Sequence, residues 1–489
     1  MSNPVPFGRR LSDLAAADPD RPAVTCGAER VTRAELDGFA NRLARQLRDE
    51  GVGVGDMVTI ALPNSVDWFI AFFAALKIGA TPQPVSSRLP GREMEQIVEL
   101  AEPKAVFGAD VAGRPCFPLG YRAPETYAGA PLEDDAIAPA WKAPTSGGST
   151  GRPKLIVSGD PGVLDLDLPP ALQITPDGCM VMPGPLYHNG PLIWSVVALL
   201  WGDHVVVLPR FDAEATLDAL ATYSADIVYL VPTMMKRIWR LPEEVRLSYD
   251  LSALKVVWHL AEPCPEWLKL CWIDWLGAER IYELYGGTEG QANTVITGPE
   301  WLAHQGSVGK VNMGEIEIRD ADGKPVPPGE MGEVWMRRTR ENETYRYVGA
   351  EPRRSEDGWE SLGDMGRMDE EGYLYLGDRM QDMILSGGSN IYPAEVEAAL
   401  QEHPAVRSCA VIGLPDDDLG NRVHAIVEAD GGSVSAEDLL AFVGERLVRY
   451  KVPRSVEFVA EPLRDEAGKV RRAQLRAERV AQARLETGG

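Results

Sequence analysis

The sequence has 489 residues, of which 73 are acidic and 49 are basic, and its formal net charge is −24. A surface of this sign repels nucleic-acid phosphates, so we expect no nucleic-acid partner. Six cysteines without a C-x-x-C pair exclude a disulfide framework and a zinc site, and they predict reduced thiols in a cytoplasmic protein. The longest apolar stretch, residues 191–209, is interrupted by Gly202, Asp203 and His204, so we expect no membrane span.

Helical and strand patterns alternate over the first 300 residues. The hydrophobic spacing predicts a helix over 36–47 and a buried strand over 57–62. Ser65 is expected to cap a helix that stops at Gly79. The pattern then repeats as strand, helix and strand over 205–208, 213–223 and 227–230. This alternation is typical of largely parallel sheets covered by helices.

Two further patterns follow. Alternating strands over 315–318 and 333–336, around a turn at Asp322-Gly323, predict a small antiparallel or barrel-like β subdomain. After residue 380, helices over 394–401 and 436–447 and strands over 409–412, 423–427 and 456–459 predict a compact α+β unit. We therefore expect an α/β protein with a large N-terminal domain, residues 1–378, a small C-terminal domain, residues 383–489, and a hinge near 379–382.

The segment TSGGSTGRPK, residues 145–154, has the composition of a phosphate-binding loop. Its glycines let successive N–H groups converge on one anion, to which hydroxyls and a lysine add. A flexible linker is the alternative, but the apolar residues 155–157 indicate that the loop leads into a strand. It is neither a Walker A loop nor a dinucleotide-type G-x-G-x-x-G. The residues expected to contact the anion are Thr145, Ser146, Gly147, Gly148, Ser149, Thr150, Gly151 and Lys154.

Two later segments suit the rest of a nucleotide. In YGGTE, residues 285–289, the aromatic ring can stack on a flat ring, and Thr288 and Glu289 can contact a phosphate and a divalent cation. In GDMG, residues 363–366, Asp364 suits the two hydroxyls of a ribose, which Arg379 could share. Each segment taken singly is also compatible with an ordinary glycine turn.

Two C-terminal segments complete the set. The loop SGGSNIYP, residues 386–393, carries glycines that permit close approach of a ligand or of another domain, and Pro393 starts a helix. Gly468 and Lys469 lie in a segment too polar to be core, where a lone lysine is usually only solvated.

The joint order of TSGGSTGRPK, YGGTE, GD, DR, GGSNIYPAEVE and GK resembles the signature set of the adenylate-forming superfamily, which includes acyl-CoA synthetases, luciferases and peptide-synthetase adenylation domains. The resemblance extends from about residue 10 to 475. It implies that a carboxylate attacks the α-phosphate of ATP to give an acyl-adenylate and pyrophosphate, and that a second nucleophile then takes the acyl group. Both reactants are anions, so the site must neutralise charge and hold them in line.

The resemblance also assigns roles to residues. It implies that the 145–154 loop grips the β- and γ-phosphates, that Thr288 and Glu289 serve the α-phosphate and Mg²⁺, and that Lys469 bridges the substrate carboxylate and the α-phosphate. Adenine would lie against Ala261, Glu262, Pro263, Tyr285, Gly286 and Gly287, and ribose against Asp364 and Arg379. The acyl group would contact His188, Trp194, Trp258, Gly287 and Gly388, with a purely structural histidine as the alternative for His188.

In that superfamily the second step commonly follows rotation of the C-terminal domain about the hinge, which withdraws Lys469 and brings the 386–393 loop to the site. Three features depart from the common pattern. The phosphate loop has an extra glycine and is followed by Leu155, the hinge position is Gln381, and Glu262 stands where small residues are usual near adenine. The extra glycine and Leu155, together with HLAEPCPEW, residues 259–267, resemble a branch acting on bulky acids such as bile acids and steroid side chains, close to the ATP-dependent amide bond synthetases.

The leading hypothesis is therefore an ATP-dependent acid–CoA ligase, with ATP and Mg²⁺ as cofactors, CoA as co-substrate and a bulky or aromatic carboxylic acid as substrate. An amide bond synthetase, which passes the acyl group to an amine, retains every motif. A catalytically silent nucleotide-binding protein is a third hypothesis, against which Lys469, Glu289 and Asp364 together argue. The oligomeric state stays open, with a homodimer as one option.

Overall fold

Helices and strands alternate along the N-terminal part of the chain in the computed structural model, which describes residues 4–134, 136–147, 153–339, 343–377, 382–386, 389–416, 419–429, 434–465 and 468–486. The helices are α1 (Phe7–Ala17), α2 (Arg33–Asp49), α3 (Val66–Lys77), α4 (Gly91–Ala101), α5 (Asn189–Leu200), α6 (Ala213–Thr222), α7 (Pro232–Trp239), α8 (Glu243–Arg246), α9 (Glu266–Leu276), α10 (Gly298–Ala303), α11 (Pro393–Gln401), α12 (Ala436–Gly444) and α13 (Arg472–Glu486). Within these described ranges, none combines the length and the apolar character needed to cross a membrane.

Within the described residues, the strands form six sheets or strand pairs. The strands of the first half are β1 (Val5–Pro6), β2 (Pro22–Cys26), β3 (Glu29–Thr32), β4 (Met57–Ile60), β5 (Thr81–Pro84), β6 (Ala105–Phe107), β7 (Cys116–Phe117), β8 (Thr145–Gly147), β9 (Pro153–Ser158), β10 (Val163–Leu164), β11 (Cys179–Met182), β12 (His204–Val207) and β13 (Ile227–Leu230). Those of the second half are β14 (Val256–His259), β15 (Ile281–Gly286), β16 (Asn293–Thr297), β17 (Ser307–Met313), β18 (Glu315–Arg319), β19 (Gly332–Arg337), β20 (Tyr345–Val348), β21 (Glu360–Met368), β22 (Leu374–Leu376), β23 (Ile384–Ser386), β24 (Ser389–Ile391), β25 (Val406–Asp416), β26 (Gly420–Ala429) and β27 (Ser455–Val459).

The largest sheet has the strand order β18-β19-β21-β22-β17-β16-β15-β14-β13-β11-β12-β2-β3. Its strands from β2 through β15 run parallel, and the strands beyond β15 are antiparallel. A second sheet, β5-β4-β6-β7, is parallel throughout. The parallel sheets expected from the alternating pattern are thus confirmed, and their central strands are buried because helices cover both faces.

Helix α3 illustrates how local sequence sets an element. The hydroxyl of Ser65 accepts a hydrogen bond from the N–H of Trp68 at 3.3 Å, which confirms the predicted cap. Every residue of α3 is buried, so the helix packs within the N-terminal core, and its two charged residues are paired there, Asp67 with Arg122 and Lys77 with Asp37. The predicted strands over 315–318 and 333–336 are likewise present, as β18 and β19, and Glu317 lies opposite Trp335.

The C-terminal part has a core of its own. Strands β25, β26 and β27 form a three-stranded sheet against which α11 and α12 pack, as predicted. Helix α13 was not predicted, because it is rich in charge; among its described side chains, Leu475 and Val480 pack in a small apolar cluster with Ile412, Leu414 and Ile426. The chain therefore has a large N-terminal and a small C-terminal domain.

The topology places the carboxyl ends of β13, β14 and β15 side by side. Residues that follow these strands must gather at one edge of the sheet, which is where ligands bind in open parallel sheets. The segments concerned begin α7 after β13, carry Glu262 after β14, and carry Thr288 and Glu289 after β15.

Candidate active site

The phosphate-loop segment lies between two paired strands. Strand β8 pairs antiparallel with β9, so that Thr145 is opposite Leu155 and Ser146 is opposite Lys154. The side chain of Gln83 donates a hydrogen bond to the Thr145 hydroxyl at 2.8 Å. Of the predicted anion contacts, Gly148, Ser149, Thr150 and Gly151 lie outside the described residues. The expected strand after the loop is confirmed as β9.

Lys154, Tyr347 and Glu289 form a compact cluster beside that loop. The ammonium of Lys154 lies 3.7 Å from Glu289 Oε1 and 3.8 Å above the ring of Tyr347. The Tyr347 hydroxyl donates to the same Glu289 oxygen at 2.5 Å, and the Glu289 side chain is 8% exposed. Burial, followed by the charge of Glu289, raises the pKa of Tyr347, so the phenol stays a hydrogen-bond donor. Two distant motif residues are thus brought together.

Tyr347 is a site residue that the sequence motifs do not contain. It reaches the cluster because β20 pairs with β9, which places Tyr347 opposite Ile156. This pairing joins residues almost 200 positions apart, and no local signal announces it. The sequence motifs therefore do not predict the hydroxyl that orients Glu289.

Replacing Tyr347 with phenylalanine should weaken nucleotide binding while leaving the fold intact. The variant removes the hydrogen bond that the Tyr347 hydroxyl donates to the Glu289 carboxylate, so Glu289 is held less firmly. We therefore expect the KM for ATP to rise about tenfold. Steady-state kinetics of pyrophosphate release would measure it. Tyr375→Phe is the matched control, since it removes a tyrosine–carboxylate hydrogen bond, to Asp369, elsewhere in the N-terminal domain. Equal KM values for the two variants would contradict this role.

Lys142 is a second residue missed by motif reading. Its ammonium is buried and donates to Asn189 Oδ1 at 2.7 Å, at the start of α5. Burial lowers the pKa of Lys142 to about 8, against the opposing charges of Asp160 and Glu289. One signal in the sequence could have identified Lys142: it is a lysine within an apolar stretch, three residues before the phosphate loop.

The adenine and ribose motifs meet directly. The hydroxyl of Tyr285, at the end of β15, donates to Asp364 Oδ2, on β21, at 2.7 Å. Gly287 is close to two side chains, since a Cβ there would meet Leu362 Cδ1 and lie 2.9 Å from Glu289 Oε2. Ala261 has a φ of 75° and is exposed, as is Pro263. Arg379 lies outside the described residues.

The predicted acyl-site residues lie around the start of α5. His188 precedes that helix, its ring centroid is 4.3 Å from that of Tyr187, and its Nε2 has no hydrogen-bond partner among the described residues. Burial, and then the charge of Lys469, lowers the pKa of His188 to about 3, so the ring is neutral at neutral pH.

Two tryptophans line the same region. Trp194 packs edge to face on Trp258, with ring centroids 5.6 Å apart, and both side chains are almost completely buried. The indole of Trp258 donates to the carbonyl of Leu172 at 2.8 Å, whereas the Trp194 N–H has no partner among the described residues. Gly388, the remaining predicted acyl contact, lies outside the described residues.

The C-terminal domain presents Lys469 to this edge of the N-terminal domain. Lys469 ends a tight turn in which its N–H donates to Asp465 Oδ1 at 2.9 Å and the N–H of Gly468 donates to the carbonyl of Asp465 at 2.9 Å. Its positive charge contributes, after burial, to the lowered pKa of His188, so the two predicted residues lie within electrostatic range of each other.

Glu262 is also part of this edge. Its carboxylate accepts a hydrogen bond from the Thr233 hydroxyl at 2.8 Å, and burial raises the pKa of Glu262 to about 7. Its side chain extends to the C-terminal domain, so the part of Glu262 expected near adenine is its backbone, as for Ala261 and Pro263.

Comparisons with known proteins match both domains. A profile of AMP-binding enzymes matches residues 11–345, and a profile of the AMP-binding enzyme C-terminal domain matches residues 395–469. The chain is 32% identical over 488 residues to a feruloyl-CoA synthase from Amycolatopsis, covering 94% of this chain and 96% of that one.

Two solved structures are similar over almost the full length. The o-succinylbenzoate CoA synthetase MenE from Bacillus subtilis, in complex with an acyl-adenylate intermediate, has a TM-score of 0.78 and 26% identity, covering 97% of this chain and 98% of that one. The amide bond synthetase McbA from Marinactinospora thermotolerans has a TM-score of 0.78 and 27% identity, covering 96% and 99%.

Proposed function

We infer, from the premise that this chain belongs to the AMP-binding enzyme family, that it activates a carboxylic acid with ATP and transfers the acyl group to the thiol of CoA. The observation that carries the proposal is the meeting of four motif residues at one sheet edge: Lys154 beside Glu289, and Tyr285 bonded to Asp364. The positive charge of Lys469, in the C-terminal domain, also reaches the predicted acyl-site residue His188. These groups match the anionic and polar parts of an acid and a nucleotide.

We propose the following division of labour. Lys154 and the adjoining loop hold the pyrophosphoryl group, and Asp364 with Arg379 holds the ribose. Lys469 neutralises the repulsion between the carboxylate and the α-phosphate, which lowers the barrier to their in-line approach. Neutral His188, with Trp194 and Trp258, borders the acyl group. A neutral imidazole suits this place because a buried charge beside Lys469 would be costly.

Thr288 and Glu289 fit a Mg²⁺ that arrives with ATP. Mg²⁺ is commonly bound by one or two carboxylates together with substrate phosphates, and one buried carboxylate is present here. Across the described part of the chain, no group of three or more His, Cys, Asp or Glu side chains could hold a resident metal ion. When bound, Mg²⁺ would supply positive charge to the phosphates.

CoA is the proposed acceptor, and an amine is the second candidate. The 32% identity to a feruloyl-CoA synthase favours CoA and an aromatic acid. The similarity to McbA, together with the HLAEPCPEW segment, keeps amide formation as the alternative. We further propose that residues 1–378 and 383–489 are the two domains, and that the hinge at 379–382, with Gln381, permits the rotation that exchanges Lys469 for the loop carrying Gly388.

A product experiment tests the proposal. The enzyme, ATP and Mg²⁺ are incubated with ferulic, 2-succinylbenzoic or cholic acid, and with either CoA or benzylamine, and the products are identified by mass. Thioester formation supports the proposal. Amide alone at saturating CoA would replace it with the amide bond synthetase, and the absence of pyrophosphate release with every acid would favour a silent nucleotide-binding protein.

A further inference from the structure

The side chain of Glu262 crosses from the N-terminal domain to the turn that carries Lys469. Although it follows β14, its side chain is only 7% exposed, and its Oε2 lies 3.8 Å from the guanidinium of Arg464 in the C-terminal domain. The same oxygen accepts the Thr233 hydrogen bond from α7. Its other oxygen has no hydrogen-bond partner within the described ranges and lies against Gly468. Glu262 is thus held on one side and meets the C-terminal domain on the other.

Gly468 fits this contact because it has no side chain. Its φ is +80°, a conformation that favours glycine, and a Cβ at this position would overlap the carboxylate of Glu262. The backbone of the turn therefore rests directly on the carboxylate. The next residue is Lys469, so the contact between Gly468 and Glu262 fixes the position of the backbone from which the Lys469 side chain extends.

Arg464 connects this contact to the rest of the C-terminal domain. Its guanidinium donates to the carbonyls of Gly468, at 2.8 Å, and Cys409, at 3.3 Å, and to Glu397 at 3.3 Å. Glu397 is in turn held by two hydrogen bonds of 2.8 Å from Arg472. Glu262 therefore contacts an arginine that is itself held in a hydrogen-bond network of the C-terminal domain, and not a mobile surface side chain.

We propose that Glu262 is a positioning residue that docks the Gly468–Lys469 turn onto the N-terminal domain for adenylate formation. The inference rests on the proposed function and adds a residue to it that acts through Lys469. Three contacts support it: the Thr233 hydrogen bond that fixes the carboxylate, the Arg464 ion pair that crosses the domain interface, and the close fit to Gly468. Glu262 should matter for the first half-reaction and not for acyl transfer, for which Lys469 must leave.

The test compares the two half-reactions in Glu262→Ala and Glu262→Gln. With an acid that the wild-type enzyme accepts, ATP–pyrophosphate exchange should fall about tenfold or more in kcat, because misplacing a reacting group by about 1 Å costs up to 100-fold. KM for ATP and acid should change little. Acyl transfer from synthetic acyl-adenylate to the acceptor should be retained. Glu266→Ala, an exposed carboxylate on the same segment, is the matched control and should behave as wild type.

A merely structural role predicts a different result, in which both half-reactions fall in parallel. The Gly468→Ala variant adds a second test: it should lose pyrophosphate-exchange activity, because the added Cβ overlaps the Glu262 carboxylate and because a φ of +80° disfavours alanine. Pyrophosphate exchange at the wild-type rate in Gly468→Ala would contradict the direct contact.

A readout without substrate keeps this inference separate from the proposed function. In the full-length protein, the peptide that contains residues 465–469 should take up deuterium faster in Glu262→Ala than in wild type or Glu266→Ala. Deuterium uptake in Glu262→Ala equal to that of wild type, or ATP–pyrophosphate exchange at the wild-type rate in Glu262→Ala, would overturn the role of Glu262. If none of the tested acids supports ATP–pyrophosphate exchange by the wild-type protein, the proposed function is overturned instead. The deuterium-uptake result would still decide whether Glu262 docks the turn.

Discussion

Lys469→Ala is expected to reduce adenylate formation by about 100- to 1,000-fold, a loss comparable to that of other groups aimed at charge that develops in a transition state. The positive charge of Lys469 contributes to the lowered pKa of His188, so the ammonium lies within electrostatic range of a predicted acyl-site residue. Lys469 is exposed on a turn closed by Asp465, so its side chain can be removed without opening the core. ATP–pyrophosphate exchange would measure the loss.

The controls for Lys469 separate position from charge. Arg471→Ala removes a neighbouring cation that is 64% exposed and whose ion pair with Glu93 is long, at 4.0 Å, so pyrophosphate exchange should stay near the wild-type rate. Lys469→Arg keeps the charge but changes the geometry of the donor, so we expect only partial activity. Exchange within threefold of wild type in Lys469→Ala would contradict the role proposed for this residue.

Elements with local signals could be predicted from the sequence. The Ser65 cap and the strand over 227–230 depend on residues next to one another, and both are present. The same holds for the parallel sheets, because alternating strands and helices leave few other arrangements. Helix α13 lacked such a signal, since most of its residues are polar and only its packing on β25 and β26 identifies its apolar side.

The site could be predicted only in part. The motifs identified Glu289, Tyr285 and Asp364, which the structure joins into contacts, but they did not identify Tyr347, which β-pairing brings from almost 200 residues away. Glu262 was noted as a departure, yet its meaning depends on Arg464 and Gly468 in the other domain. The roles of Tyr347 and Glu262 depend on contacts between segments distant in the chain, and no local pattern in a single sequence indicates such contacts.

Lys77→Met should cause a large loss of stability in the N-terminal domain. The ammonium is 3% exposed and donates to Asp37 Oδ1 at 2.7 Å, to the Ser12 hydroxyl at 2.9 Å and to the carbonyl of Gly8 at 3.0 Å. Burial lowers the pKa of Lys77, and the charge of Asp37 opposes that shift. Methionine fills the space but leaves Asp37 buried without its cation, so we expect the free energy of unfolding to fall by about 3–5 kcal/mol.

The double variant Lys77→Met/Asp37→Leu distinguishes the ion pair from its packing. Removing both charges eliminates the uncompensated carboxylate, so the double variant should be more stable than Lys77→Met alone. Urea unfolding followed by tryptophan fluorescence would measure both, with Lys324→Met as the exposed-lysine control. If the free energy of unfolding falls by less than about 1 kcal/mol in Lys77→Met, the Lys77–Asp37 pair contributes no more than a surface salt bridge. That result would contradict the expectation that burial of the pair makes its loss costly. Because the pair joins α1, α2 and α3, far along the chain from the motif residues, any accompanying loss of activity should follow the unfolded fraction and not the KM for ATP.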